Sequence, residues 1–299
     1  MVALIALAAA QCLQAQDTVT QEDWSTIDRS KTHLIAEKPV VAEREELDSF
    51  YREMIRLKWR LADPVDIFLL RPKGVEKPPV VLFLYSFPQG IGRFREDSFC
   101  RSVIAHGYAV VGFESALTGE RYRLRPMREW FVSELPEALA CTTHDVQYIL
   151  DYLETRSDLD TRRIGMFGQG SGATIALLAA AADSRIKAVD AVNPWCDFPQ
   201  WITHTSHVTE DERPQLMKEE FLKRLEPLDP VRWIGRLSGR KVRLQIIGGQ
   251  DKVPQSCLEK LAQSAPPNCE VLRYPDPRAH QREDGHSPHH AWMAKHLKE

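Results

Sequence analysis

Residues 162–173 read Arg-Arg-Ile-Gly-Met-Phe-Gly-Gln-Gly-Ser-Gly-Ala. An apolar run from Ile164 to Phe167 enters a glycine-rich turn, and Ser171 to Ala182 continues as an alanine-rich, almost wholly apolar segment. The period changes from strand to buried helix with no connecting loop. Gly168 and Gly172 stand two residues before and two after Gly170. A strand that becomes a helix so abruptly has no room for side chains at those two flanks. Gly170 lies midway between them.

Outward from this turn, short apolar runs recur: Val65 to Leu70, Val80 to Tyr85, Tyr108 to Phe113, Arg185 to Val192, Lys241 to Ile247 and Val271 to Tyr274. Runs apolar on both faces suit strands covered on both sides. Helical spacing lies between them at Phe99–His106, Leu135–Thr155, Ser256–Gln263 and His289–Leu297. The alternation predicts an α/β protein with a mostly parallel central sheet and helices on both faces. Two further expectations concern the N-terminal half. Residues 41–57 have helical spacing, with Leu47, Tyr51, Met54 and Ile55 on one side, and residues 16–40 read as a polar arm. Residues 194–233 are longer than an ordinary connection and carry Trp195, Trp201 and Trp233, which predicts a small helical insertion acting as a cap. The main domain is then 41–299.

Composition excludes several classes. The chain has 299 residues, 43% hydrophobic and 27% charged, with a formal net charge of −3. These values are ordinary for a globular protein and give no basic excess for nucleic acid. Val2 to Ala10 is apolar but too short to span a bilayer. It has the length of a signal-peptide core, with Ala15 before Gln16 as a cleavage site, although no Lys or Arg precedes it. Residues 1–15 are therefore read as a leader. That predicts export to the periplasm or the extracellular space, and a cytoplasmic location if the leader is not one. Beyond Cys12 the cysteines are Cys100, Cys141, Cys196, Cys257 and Cys269, an odd set with wide spacing and no CxxC. Buried thiols are expected in preference to a disulfide framework or a cysteine zinc site, with Cys257–Cys269 the one pairing considered.

Two loops complete the pattern. Gly248-Gly249-Gln250-Asp251-Lys252-Val253-Pro254 follows one strand, and Tyr274-Pro275-Asp276-Pro277-Arg278-Ala279-His280 follows the last. With the glycine turn they resemble the α/β-hydrolase superfamily, most nearly its dienelactone-hydrolase and acetyl-esterase-like branch, over roughly Val80 to His296. In that family the turn is the nucleophile elbow G-x-S-x-G, and the chain order is nucleophile, acid, histidine. The resemblance implies carboxylic-ester hydrolysis, with Asp251 as the acid that orients His280 and His280 as the general base. His286 is the alternative base.

The chain departs from the family pattern twice. The loop that supplies an oxyanion-hole N–H, usually His-Gly, here reads Tyr85-Ser86-Phe87-Pro88. The nucleophile position is vacant because it holds Gly170. Without a nucleophile the acyl-enzyme route is closed, a loss of about six orders of magnitude in kcat by the serine-protease precedent. Glycine also relieves the strained backbone of an elbow. Weak or absent acyl-enzyme activity is expected, so that the chain reads as a pseudoenzyme binding a small-molecule ester or related ligand without a cofactor, metal or nucleic acid.

Two alternatives remain open on the sequence. Ser171 could serve as nucleophile or as an oxyanion N–H, or His280 could activate a water in the gap. The other is a dinucleotide-binding oxidoreductase, since Gly168-x-Gly170-x-x-Ala173 matches G-x-G-x-x-A and Asp190 lies twenty residues beyond Gly170. Arg125, Trp195 and Trp201 are candidates for the cleft wall.

Overall fold

The computed structural model describes residues 22–123, 134–284 and 286–298, and for residues 31, 282–284 and 286–289 it describes the backbone alone. Nine strands form one sheet: β1 (Val40–Glu46), β2 (Phe50–Leu57), β3 (Val65–Pro72), β4 (Pro79–Leu84), β5 (Ala109–Phe113), β6 (Asp160–Gln169), β7 (Ile186–Val192), β8 (Lys241–Ile247) and β9 (Glu270–Tyr274). Their order is β1-β2-β3-β5-β4-β6-β7-β8-β9. The pairs from β5 through β4 to β9 are parallel, and those of β1, β2 and β3 are antiparallel.

Strand alternation divides the interior in two. In β4, Val80, Leu82 and Leu84 enter the core on one face, while Val81 and Phe83 enter the core on the other. A strand whose successive side chains point to opposite faces must be apolar throughout when both faces are covered. The first face is covered by α2 (Leu135–Glu154) and α3 (Ser171–Ala182), and the second by α1 (Asp97–Ile104) and α8 (His286–Lys298). The helix α3 is buried along Ser171–Ala180, which explains its lack of a polar face.

Residues 194–233 form a run of short helices, chiefly α4 (Phe198–His204) and α5 (Glu219–Leu225), packed over α2 and α3. Beyond them, α6 (Gln255–Ser264) lies between β8 and β9, and α7 (Pro277–Asp284) follows β9. Among the described residues no helix is long and apolar enough to cross a membrane. The leader, residues 1–15, lies outside the described residues.

Two expectations are corrected here. Residues 41–57 are the antiparallel pair β1–β2 and not a helix. Cross-strand partners override the helical spacing: Arg44 pairs with Glu53 within the hairpin, and Arg56 with Asp66 across β2–β3. The exposed edge strand β1 carries charges, as an edge strand must to discourage further pairing. The arm, in its described part, is not simply solvated. Ile27 is in the core, and the buried Glu22 carboxylate accepts two hydrogen bonds of 2.6 Å from Arg60 and one of 2.6 Å involving His144 Nδ1. Arg60 and Arg121 both meet the fully buried Asp145 on α2, which also accepts from the Trp59 indole at 2.9 Å. Each buried charge is thereby paired. The five described cysteines, Cys257 and Cys269 included, are free thiols.

Candidate functional site

The elbow forms where β6 ends and α3 begins. Gly170 has φ 51° and ψ −120°, a backbone that a residue bearing a Cβ adopts only under strain. The flanking glycines are required by contact. A Cβ on Gly168 would lie 2.4 Å from the Gly172 carbonyl oxygen, and one on Gly172 would lie 2.4 Å from the Leu84 carbonyl oxygen. The strand-to-helix turn read from residues 162–173 is therefore present with its packing demands intact.

The apex is crowded by a neighbouring loop. A Cβ on Gly170 would lie 2.1 Å from Ser86 Oγ and 2.8 Å from Ser86 Cβ, with Trp195 Nε1 at 3.4 Å. The Ser86 hydroxyl thus occupies the space an elbow side chain would take. It is delivered by the loop after β4, the strand at which the chain order reverses, since β5 lies on one side of β4 and β6 on the other. Clefts in open α/β sheets lie at such switch points, outside the carboxyl ends of the strands.

A cleft of about 370 Å³ opens there, lined among others by Ser86, Gly170, Trp195, Gln250, Lys252 and His280. Gly170 and His280, far apart in sequence, face the same space. Tyr85, the first residue of the oxyanion loop, turns into the opposite core, where burial pushes its phenol up to about 12. Phe87 and Trp195 line the cleft, and Phe87 packs edge-on to Trp195 at 6.3 Å. Trp201 is fully buried behind Trp195, stacked on it at 4.8 Å, with its indole donating to the Lys252 carbonyl at 2.9 Å. Trp201 is thus wall support and not a ligand contact.

Ser171 is fully buried, and its Oγ accepts a hydrogen bond from the Phe87 backbone N–H at 2.9 Å. The side chain therefore points under the oxyanion loop and not into the cleft. The same bond engages the Phe87 N–H, which leaves Ser171 as a strut between elbow and loop.

His280 lies on α7, one turn past the end of β9. Asp251, expected beside it, is exposed and makes no hydrogen bond or ion pair with it; its charge acts instead on His207. His207 packs against Phe87, Trp195 and Trp201, and burial, reinforced by Lys252 and opposed by Asp251, holds it down at about 4. Tyr274 packs edge-on to the His280 ring at 4.8 Å, and Gln245 hydrogen-bonds to it. Gln245 Nε2 donates to the fully buried Asp190 at 2.9 Å, which fixes the orientation of the amide. Gln245 Oε1 must then be the acceptor facing His280, so His280 Nε2 carries a proton and donates at 3.2 Å. Arg243 completes the arrangement with a two-bonded pair to Asp190 at 2.7 and 3.0 Å.

This network also answers the dinucleotide alternative. Asp190 is 0% exposed and committed to Arg243 and Gln245, so it is not available to a ribose. The residues of the network were not read from the sequence as a unit. Their only signal was polar residues at 190, 243 and 245 inside otherwise apolar strands, and the register Asp190↔Arg243 is what joins them. Arg125 lies outside the described residues, and so does the His286 side chain.

No family model matches the chain. Over 135 residues it is 30% identical to "Putative hydrolase YtaP" of Bacillus subtilis (strain 168), covering 40% of this chain and 45% of that protein. Over 162 residues it is 24% identical to an Escherichia coli protein described as an uncharacterized 31.7 kDa protein in the traX-finO intergenic region, covering 53% of this chain and 51% of that protein. The chain thus spans about half the length of the curated relatives it matches. Among solved structures it is similar to acetyl xylan esterase 1 from Thermoanaerobacterium sp. JW/SL YS485, with a TM-score of 0.69 and 14% identity over 90% of this chain and 89% of that one. It is also similar to an acetyl xylan esterase from Paenibacillus sp. R4, with a TM-score of 0.65 and 20% identity over 85% of this chain and 84% of that one.

Proposed function

On the α/β-hydrolase fold that this chain has, we propose that the protein is a relative of carboxylic-ester hydrolases that binds a small, ester-related molecule in the elbow cleft without forming an acyl-enzyme. The observation that carries this reading is the apex of the elbow. It holds Gly170, and the Ser86 hydroxyl lies where a nucleophile's side chain would begin. Three further features support it. The Phe87 N–H donates to Ser171 Oγ and so is not held ready for a developing oxyanion. Ser171 is buried in that bond and is not presented as a nucleophile. No Asp251 carboxylate orients His280, whose Nε2 donates to an amide oxygen instead. The esterase names of the structural neighbours support an ester-related ligand.

The test is p-nitrophenyl acetate turnover by the wild type beside the double variant Gly170→Ser with Ser86→Gly. The second change clears the hydroxyl that the side chain introduced at the elbow apex would strike. The wild type is expected at the buffer rate, with turnover appearing only in the double variant. Wild-type turnover abolished by His280→Ala would overturn the reading and favour a His280-activated water.

A further inference from the structure

The cleft contains hydrogen-bond donors with nothing to receive them. Trp195 is 1% exposed, yet its indole N–H makes no hydrogen bond among the described residues. That nitrogen lies 3.4 Å from the point where an elbow Cβ would stand, at the wall of the cleft. The Trp195 ring is thus almost wholly covered while its nitrogen opens on the cleft, where a ligand's acceptor can reach it. The Ser86 hydroxyl, beside the same point, also makes no hydrogen bond among the described residues.

A third element converges there. The twelve-residue helix α3 starts at Ser171 with Gly170 as its cap and no side chain bonded to its N-terminus. The Ala173 and Thr174 N–H groups both reach the Gly170 carbonyl, which leaves those of Ser171 and Gly172 without an acceptor inside the helix. The helix dipole adds positive potential at that end. Lys252 and His280 line the cleft, and no aspartate or glutamate does among the described residues.

We infer that the vacated elbow is a carboxylate-binding subsite, in which Trp195 Nε1–H and the Ser86 hydroxyl hold the oxygens of a small organic acid at the N-terminus of α3. The inference rests on the reading of the cleft as a binding site and names its ligand class. A neutral ester presents one carbonyl oxygen and no charge to these groups. A carboxylate presents two charged oxygens, and hydrogen bonds to charged acceptors are roughly twice as strong as neutral ones. An unsubstituted elbow makes the room: a Cβ at 170 would fill the space in which the acid's oxygens would sit.

The experiment titrates the full chain with benzoate and with methyl benzoate, following the tryptophan indole N–H signals by NMR, the Trp195 signal being assigned from Trp195→Phe. Benzoate is expected to move the Trp195 signal and to bind about tenfold or more tightly than methyl benzoate, as the loss of one charged contact implies. Ser86→Ala, which retains the fold because the Ser86 hydroxyl bonds to nothing there, should weaken benzoate several-fold. Gly170→Ala should abolish binding, because its Cβ fills the space for the acid's oxygens and displaces the Ser86 hydroxyl. Equal binding of the acid and its ester, or benzoate binding that is indifferent to Ser86→Ala, overturns the inference. A wild type that hydrolyses p-nitrophenyl acetate while still selecting benzoate would instead overturn the non-catalytic reading alone.

Discussion

Placing a Cβ on Gly170 should destabilise the protein by a calculable amount. In Gly170→Ala the backbone must keep φ 51° and ψ −120°, which costs about 1–3 kcal/mol for a residue with a Cβ. The new methyl would stand 2.1 Å from Ser86 Oγ, so Ser86 must leave its rotamer, at about 1 kcal/mol more. Alanine also reduces the freedom of the unfolded chain, which offsets roughly 0.4–1 kcal/mol. The net loss is about 1–3 kcal/mol, which for a chain of this length lowers Tm by roughly 2–5 °C. Calorimetry of the wild type, Gly170→Ala, Ser86→Gly and the double variant separates the contributions. The double variant should recover about 1 kcal/mol of coupling between the two sites, because the clash is gone while the strain remains. A Gly170→Ala variant as stable as the wild type would refute the strain argument, and an additive cycle would refute the contact with Ser86.

Other perturbations reach the surrounding structure. Ser171→Ala leaves the half-buried Phe87 N–H without the Ser171 acceptor and should cost about 1 kcal/mol in urea unfolding. Gly168→Ala drives a Cβ to 2.4 Å from backbone, and the insoluble or strongly destabilised product is read by expression and thermal melt. Burial alone would raise the Glu22 carboxyl, but hydrogen bonds from Arg60 and His144 outweigh it and hold it at about 2, against 4.5 for a free carboxyl. A depressed carboxyl pKa contributes stability above the unfolded value that is lost as pH falls, so this arm anchor should fade between about 4.5 and 2, worth roughly 3 kcal/mol. Glu22→Gln should flatten that stage of a Tm–pH curve. His207, held neutral to about 4, adds an earlier stage: the unfolded chain takes up its proton below about 6.5 while the folded chain does not, so stability falls as pH drops from there to about 4. His207→Phe should remove that stage.

The division between what was legible early and what was not follows the range of the forces involved. Local pattern was enough for the parallel half of the sheet and for α3, because a strand covered on both faces must be apolar at every position and a buried helix must be apolar all round. The elbow could be read for the same reason: Gly168, Gly170 and Gly172 are demanded by backbone geometry within five residues of chain. The β1–β2 hairpin could not, since its strand state rests on partners such as Asp66 for Arg56, outside any helical window.

The site divides in the same way. The sequence alone determined that Gly170 stands at the apex and that His280 follows the last strand. Only the tertiary structure decided what meets them. Ser86 reaches the apex from the end of β4, Trp195 turns its indole N–H toward the same point, and Gln245 meets His280 through an amide oriented by Asp190 from the adjacent strand. Such contacts join residues 25 to 84 positions apart. They depend on strand order and register, which no local spacing encodes, whereas a backbone turn is specified by the residues that form it.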